Sequence, residues 1–148
     1  MVTQLHDTGE EALLDAFFEE SLSKPSSVSI TLFNDSTDAL TDSSDLGDIS
    51  TEPTGSAFAR QTASFGTTDF SNQDNSGDWE TIIADKTFDT SDSNQSVDSY
   101  AVIISFTSDD TGDSSANEHL LFTGSLNQSY NLGDIDTFTL SGSGISLT

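Results

Sequence analysis

Residues 100–106 read Tyr-Ala-Val-Ile-Ile-Ser-Phe. β-Branched and aromatic side chains dominate the run, which predicts a strand. The run does not alternate with polar residues, so both faces are expected to be buried, as in the middle of a sheet. Upstream, Val28, Ile30 and Leu32 alternate with Ser29, Thr31 and Phe33, a second strand pattern. Residues 57–65 alternate again and carry Arg60 in mid-strand. Trp79, Ile82, Ile83 and Phe88 mark a third apolar region. Downstream, residues 120–126 form a further strand around Gly124. Leu132-Gly133-Asp134 signals a turn, and Ile135, Phe138, Leu140, Ile145 and Leu147 close the chain. The intervening stretches 34–55, 71–78, 90–98 and 109–118 are polar and read as loops. Many short strands with polar turns predict a mainly β fold, a β-sandwich or jelly-roll-like architecture with one N-terminal α-helix.

The helix is expected near the N-terminus. Thr8 followed by Glu11 has capping-box spacing, and Asp7, Glu10 and Glu11 suit the positive end of a helix dipole. Leu13 and Phe17 form an i,i+4 pair, and Leu14, Phe18 and Leu22 continue a neighbouring row. Pro25 should end the helix. The 148 residues then make a single domain, with a helical segment at 1–24 and the sandwich at 26–148. The apolar helix face either covers an open face of the sheet or docks on a partner.

Apolar residues are 32% of the chain, so the core must come from a few large side chains, of which the ten Phe are the main supply. A chain of this length can bury ~68% of its unfolded surface. Val102, Ile104 and Phe106 are expected to pack with Phe17, Phe65 and Trp79.

Charge excludes several functions. Three basic residues, Lys24, Arg60 and Lys86, stand against 26 acidic ones, a formal net charge of −23 at pH 7. Binding nucleic acid or anionic lipid needs Lys and Arg to displace counterions, so neither is an expected partner. Such a surface also repels itself, and salt relieves this as the Debye length falls to ~3 Å at 1 M. Abundant Asp and scarce Lys fit a halophilic protein. The chain has no cysteine, hence no disulfide or thiolate chemistry. No apolar run approaches the ~20 residues of a membrane span, and no secretory signal pattern is present.

The search for chemistry returns little. His6 precedes the helix and His119 lies at a loop–strand border, and neither accompanies a nucleophile motif. No enzyme activity is expected. Asp69, Asp74 and Asp78 cluster in sequence around Gly77, and oxygen-rich loops of this kind are candidates for Ca or Mg, although the spacing is not that of an EF-hand. No other cofactor is expected. Arg60 is the charged residue of most interest. Its planar guanidinium can pair with carboxylates two bonds at a time and tie acidic loops to the sheet.

The order of features resembles a group of small virion structural proteins of tailed phages, often labelled tail-fibre or minor structural proteins. The resemblance runs through LHDTGEEALLDA at 5–16, GSAFARQ at 55–61, Trp79, the strand at 100–106, LLFTGSL at 120–126, Leu132-Gly133-Asp134 and GISL at 144–147. Phe58 stands where the pattern has tyrosine before Ala-Arg-Gln. The loops are rewritten in Asp, Ser and Thr, as expected for a tailed virus of haloarchaea. The resemblance implies a non-enzymatic structural role in the virion, reached by assembly in the host cytoplasm. Within that role a capsid-surface decoration or turret subunit in symmetric copies is expected. Alternatives are a tail, baseplate or fibre component, or a host-surface-binding module. Expected partners are further copies of the chain and other virion proteins such as the major capsid protein. Leu13, Leu14, Phe17, Phe18 and Arg60 are the candidate interface residues.

Overall fold

The computed structural model describes residues 3–19, 24–106 and 117–147. The chain enters through β1 (Thr3–Leu5) and α1 (Asp7–Leu14), which continues as a wider π-helical turn at Asp15–Glu19. Next come β2 (Ser27–Phe33), a one-turn α2 (Asp35–Asp38) and a 3₁₀ turn at Leu46–Asp48. The strands β3 (Gln61–Ala63), β4 (Phe70–Asn75), β5 (Asp78–Ile83), β6 (Lys86–Asp89) and β7 (Ser96–Ser105) follow. The chain closes with β8 (Glu118–Asn131), a 3₁₀ turn at Leu132–Asp134, β9 (Thr137–Leu140) and β10 (Gly144–Leu147). The fold is mainly β, as expected.

The largest sheet has five strands in the order β1-β8-β7-β2-β3. The run at 100–106 therefore lies on its central strand, and both faces of that strand are buried. Alternation along the pleat sends Tyr100, Val102 and Ile104 to one face and Ala101 and Ile103 to the other. On the first face they join Val28, Ile30, Leu32 and Phe122, packed against Ile83, Phe88, Phe138 and Leu140 from two smaller sheets. Those sheets are β10-β5-β4 and β6-β9. On the second face Ala101, Ile103, Phe33 and Leu120 are covered by Leu46, with Leu40 and Ile49 alongside. A stretch that reads as loop thus roofs half of the central sheet with three apolar residues.

That stretch is ordered by its carboxylates. Asp side chains accept from backbone N–H and hydroxyl groups, both within this stretch and from neighbouring segments, replacing the hydrogen bonds a strand would supply. Asp98 accepts from the N–H of Asp35 at 2.7 Å and of Ser36 at 3.2 Å. Asp45 accepts from Gly47 N–H at 2.7 Å, and Asp48 from Asp45 N–H at 3.0 Å. Asp38 accepts from the hydroxyls of Ser50 and Thr51 at 2.7 and 2.6 Å. Further along, Asp92 accepts from the Ala57 N–H at 3.0 Å.

The N-terminal helix differs from expectation in its cap. His6, not Thr8, is the N-cap residue, and its side chain makes no capping bond. Thr8 Oγ1 instead donates to the Leu120 carbonyl at 3.3 Å. The reason is a bulge in β8. Val102 faces Phe122 and Ile103 faces Leu120, which leaves Leu121 out of register. The displaced Leu121 carbonyl accepts the His6 N–H at 3.1 Å, and Gly9 lies directly on the Leu121 backbone. The bulge re-aims carbonyls toward the helix start. The last described helical residue is Glu19, so the expected ending before Pro25, and Leu22, fall outside the described residues.

Two strand assignments are corrected. The strand expected at 57–65 is only Gln61–Ala63, so Arg60 sits at its entrance and not in its middle. Residues 71–78, expected as a loop, belong to a hairpin. β4 pairs antiparallel with β5 from Phe70↔Ile83 to Asn75↔Asp78, and Ser76 and Gly77 make the turn with φ of 62° and 104°. Two consecutive positive φ values mark a type I′ turn, whose twist matches the strands it joins. The strand character of Ser-Asn-Gln-Asp-Asn comes from pairing with β5, which overrides its poor propensity. Of the expected loop at 109–118, residues 109–116 lie outside the described residues, while Glu118 already belongs to β8.

The core expectation is half right. Val102, Ile104 and Phe106 are buried together. Trp79 is 60% exposed, Phe17 77% and Phe65 40%, so all three are corrected out of the core. Phe65 instead stacks on Phe70 at the end of the hairpin away from its turn.

Candidate interaction surface

The N-terminal helix buries its small residues and exposes its large ones. Gly9 and Ala12 face the sheet, because only small side chains fit where the helix rests on the β8 bulge. Leu13 is half-buried, whereas Leu14 is 55% exposed and Phe18 80%. With Phe17 they leave three large apolar side chains of the N-terminal helical segment exposed. Of the two readings of this face, covering the sheet holds for Gly9 and Ala12 but not for the Leu and Phe residues.

Leu13 also lines an apolar groove of about 440 Å³. Leu5, Leu121 and Ile145 form the rest of its apolar lining with Trp79, and Asn72, Glu80 and Thr81 complete it. Strand register explains the assembly. Trp79 and Thr81 project from the same face of β5, and Ile145 of β10 pairs with Thr81. On the other flank Asn72 also pairs with Thr81, and Asp74 with Trp79. Sequence reasoning placed Trp79 in the core. The polar composition of 71–78, once read as a strand, is the signal that this hairpin faces water.

Arg60 binds Glu52 edge to edge, Nε to Oε1 at 2.7 Å and Nη2 to Oε2 at 2.8 Å. Thr31 Oγ1 of β2 donates to the same Oε1 at 2.6 Å, and Glu118 lies 3.9 Å from Nη1. Burial raises the Glu52 pKa, but the Arg60 and Thr31 hydrogen bonds and the Arg60 charge outweigh it and hold the pKa below the ordinary value. Arg60 therefore ties the segment before β3 to the sheet, and its guanidinium is turned inward to Glu52.

The other two cations are also engaged within the chain. Lys86 Nζ lies 2.8 Å from Asp69, and Lys24 Nζ lies 5.0 Å above the Phe65 ring. The three metal candidates do not converge. Asp69 is held by Lys86 and by the Ser64 N–H at 2.7 Å, which lower its pKa. Asp74 accepts from Gly77 N–H at 2.7 Å at the opposite end of the hairpin, where Asp78 opens β5. Among the described residues, no three His, Asp or Glu side chains form a group that could hold a metal ion.

Both histidines are buried. His6 Nε2 lies 3.0 Å from Thr123 Oγ1. Burial lowers its pKa, against the opposing pull of the Thr41 and Ser44 backbone and the Asp35 and Asp42 charges. His119 packs edge-on against the Phe106 ring, centroids 5.6 Å apart. No described helix is long and apolar enough to cross a membrane. No family model matches the sequence, and no curated protein or solved structure matches it.

Proposed function

We propose that the chain is a non-enzymatic structural subunit of a tailed virus particle, a decoration or turret protein present in symmetric copies on the capsid surface. The observation that carries the reading is the exposed end of the N-terminal helix. Leu14, Phe17 and Phe18 stand in water on a chain whose surface is otherwise dominated by carboxylates. Adjoining exposed apolar groups of this size mark a contact surface, and aromatic residues are the side chains that build interface centres. The order of short motifs along most of the chain, read as resembling tailed-phage structural proteins, suggests the assembly context. A charge of −23 opposes contact with packaged DNA and with anionic lipid, which suits a subunit that faces brine. Oligomerisation would add stability that a self-repelling monomer lacks.

Quantitative mass spectrometry of purified particles tests the proposal. Many copies per virion, in a number set by capsid symmetry, are expected. Absence from the particle overturns the structural role. About six copies or fewer, the number a tail ring would hold, overturns the capsid-surface assignment.

A further inference from the structure

We infer that the groove between α1 and β5 receives an amphipathic segment of a partner protein, one with an apolar ridge flanked by lysine or arginine. The inference rests on the groove alone and holds whether or not the chain is a virion protein.

The lining supplies the apolar half of the argument. Leu5, Leu13, Leu121, Ile145 and the Trp79 ring surround the space. Its volume, about 440 Å³, falls within the ~300–1,000 Å³ of sites that enclose a compact ligand. Its walls are elongated elements, α1 on one side and the paired strands β5 and β10 on the other, and a groove of that form suits a row of side chains at i, i+3 and i+4 spacing.

The rim supplies the charge. Asp74 sits across from Trp79 in the strand register and so on the same face of the hairpin, whereas the Glu80 carboxylate projects from the other face and accepts from Gln73. Glu10, one turn before Leu13, is exposed. None of the three basic residues lines the groove. Arg60 is committed to Glu52, Lys86 to Asp69 and Lys24 to the Phe65 ring. A second copy of this chain would bring another acidic rim and no uncommitted cation to answer it. Like-charge juxtaposition at an interface disfavours the wrong partner, and complementary charge selects the right one. The complement of this groove is therefore cationic at its edges and apolar along its middle.

Trp79 is the single tryptophan of the chain, so its emission reports occupancy directly. The 148-residue chain is titrated, at the lowest salt in which it stays folded, with an 18-residue helical peptide of leucine and lysine bearing one leucine face. A peptide of the same composition with its leucines scattered, and a leucine–glutamate peptide with one leucine face, serve as comparisons. The patterned leucine–lysine peptide is expected to shift Trp79 emission to the blue, saturably, and to bind at least tenfold tighter than either comparison. Leu13→Ser and, as the less disruptive variant, Asp74→Asn should each weaken it, while Asp136→Asn, at an exposed carboxylate that does not line the groove, should not. Equal binding of the scattered peptide would reduce the effect to diffuse attraction by the acidic surface and overturn the inference. So would equal binding of the leucine–glutamate peptide. A blue shift that appears on concentrating the protein alone, with a dimer in sedimentation, would assign the groove to a second copy and overturn it equally.

Discussion

Arg60 and Glu52 form a planar, doubly hydrogen-bonded pair whose acidic partner also accepts from Thr31 on the second strand. Lysine can satisfy one oxygen of Glu52 but not both. Arg60→Lys should lower stability in molar salt by about 1 kcal/mol, a modest value because the pair is partly exposed. Arg60→Ala should cost more, since it leaves a half-buried carboxylate with only Thr31. Chemical denaturation checks this. Midpoints unchanged in both variants would show that the pair does not hold the segment down.

The same pair sets an acid limb. The folded pKa of Glu52 lies below its ordinary 4.5. Its stabilisation is therefore fully present above 4.5 and is lost as pH falls through the lowered folded value. Thermal melts in molar salt should fall across that window, and Glu52→Gln should flatten this part of the fall. High salt is needed because protonation also relieves repulsion among the other carboxylates, which acts in the opposite direction.

His6 titrates in a separate window. Its folded pKa lies below the ordinary 6.5 because burial penalises the imidazolium. The stabilisation is present above 6.5 and disappears as pH drops through the lowered value. The imidazole proton signals of His6 in a pH-titrated NMR spectrum should give a midpoint below 6.5. A midpoint at or above 6.5 would mean that the ring is solvated and that β1 and α1 do not close over it.

Gly9 inverts a familiar rule. Glycine to alanine inside a helix ordinarily stabilises by about 1 kcal/mol. Here a Cβ would fall 2.6 Å from Leu121 Cα and 2.8 Å from the Leu120 carbonyl oxygen. Both are backbone atoms that cannot step aside. Gly9→Ala should destabilise by roughly 1–3 kcal/mol, as overpacking does. A stabilised variant would show that α1 stands off from the bulge.

Two aromatic truncations should separate sharply. Phe106 is buried with Val102 and Ile104, so Phe106→Ala should cost ~3–5 kcal/mol. Trp79 is mostly exposed, so Trp79→Ala should cost under about 1 kcal/mol and leave the fold intact. Comparable losses would return Trp79 to the core.

The sheet was legible in the sequence because its centre is periodic and apolar. Residues 100–106 and 27–33 carry β-branched and alternating apolar patterns that mark strands, and the structure pairs them side by side. The hairpin at 70–83 was not legible. Its outer strand is made of Ser, Asn, Gln and Asp, and only the Ser76-Gly77 turn and the pairing with β5 make it a strand. Arg60 was recognised as a tie from its rarity, but its partner Glu52 was one acid among 26 and could not be singled out. The groove was hidden for a related reason. Trp79 and Ile145 lie far apart in sequence and meet through the order of strands in a small sheet, which composition does not encode. The N-terminal helical segment turns Gly9, Ala12 and Ala16 to the core, with Gly9 on the Leu121 backbone, and leaves Phe17 and Phe18 exposed.

The side-chain bonds of Asp98, Asp45, Asp48, Asp38 and Asp92 divide the acidity of this protein into two populations. Those carboxylates accept from backbone N–H and hydroxyl groups that hold the loops in place, whereas Glu10, Asp85 and Asp136 are simply exposed. A redesign for dilute buffer could therefore not proceed by replacing acids at random. Swapping exposed members for lysine would relieve repulsion at little structural cost. Asparagine at 98 would keep one acceptor for two N–H donors, and glutamate there would carry the carboxylate past them. Tolerance of salt and integrity of the loops are thus encoded in overlapping sets of residues. The number of charges that can be removed is fixed by hydrogen-bond geometry and not by the total.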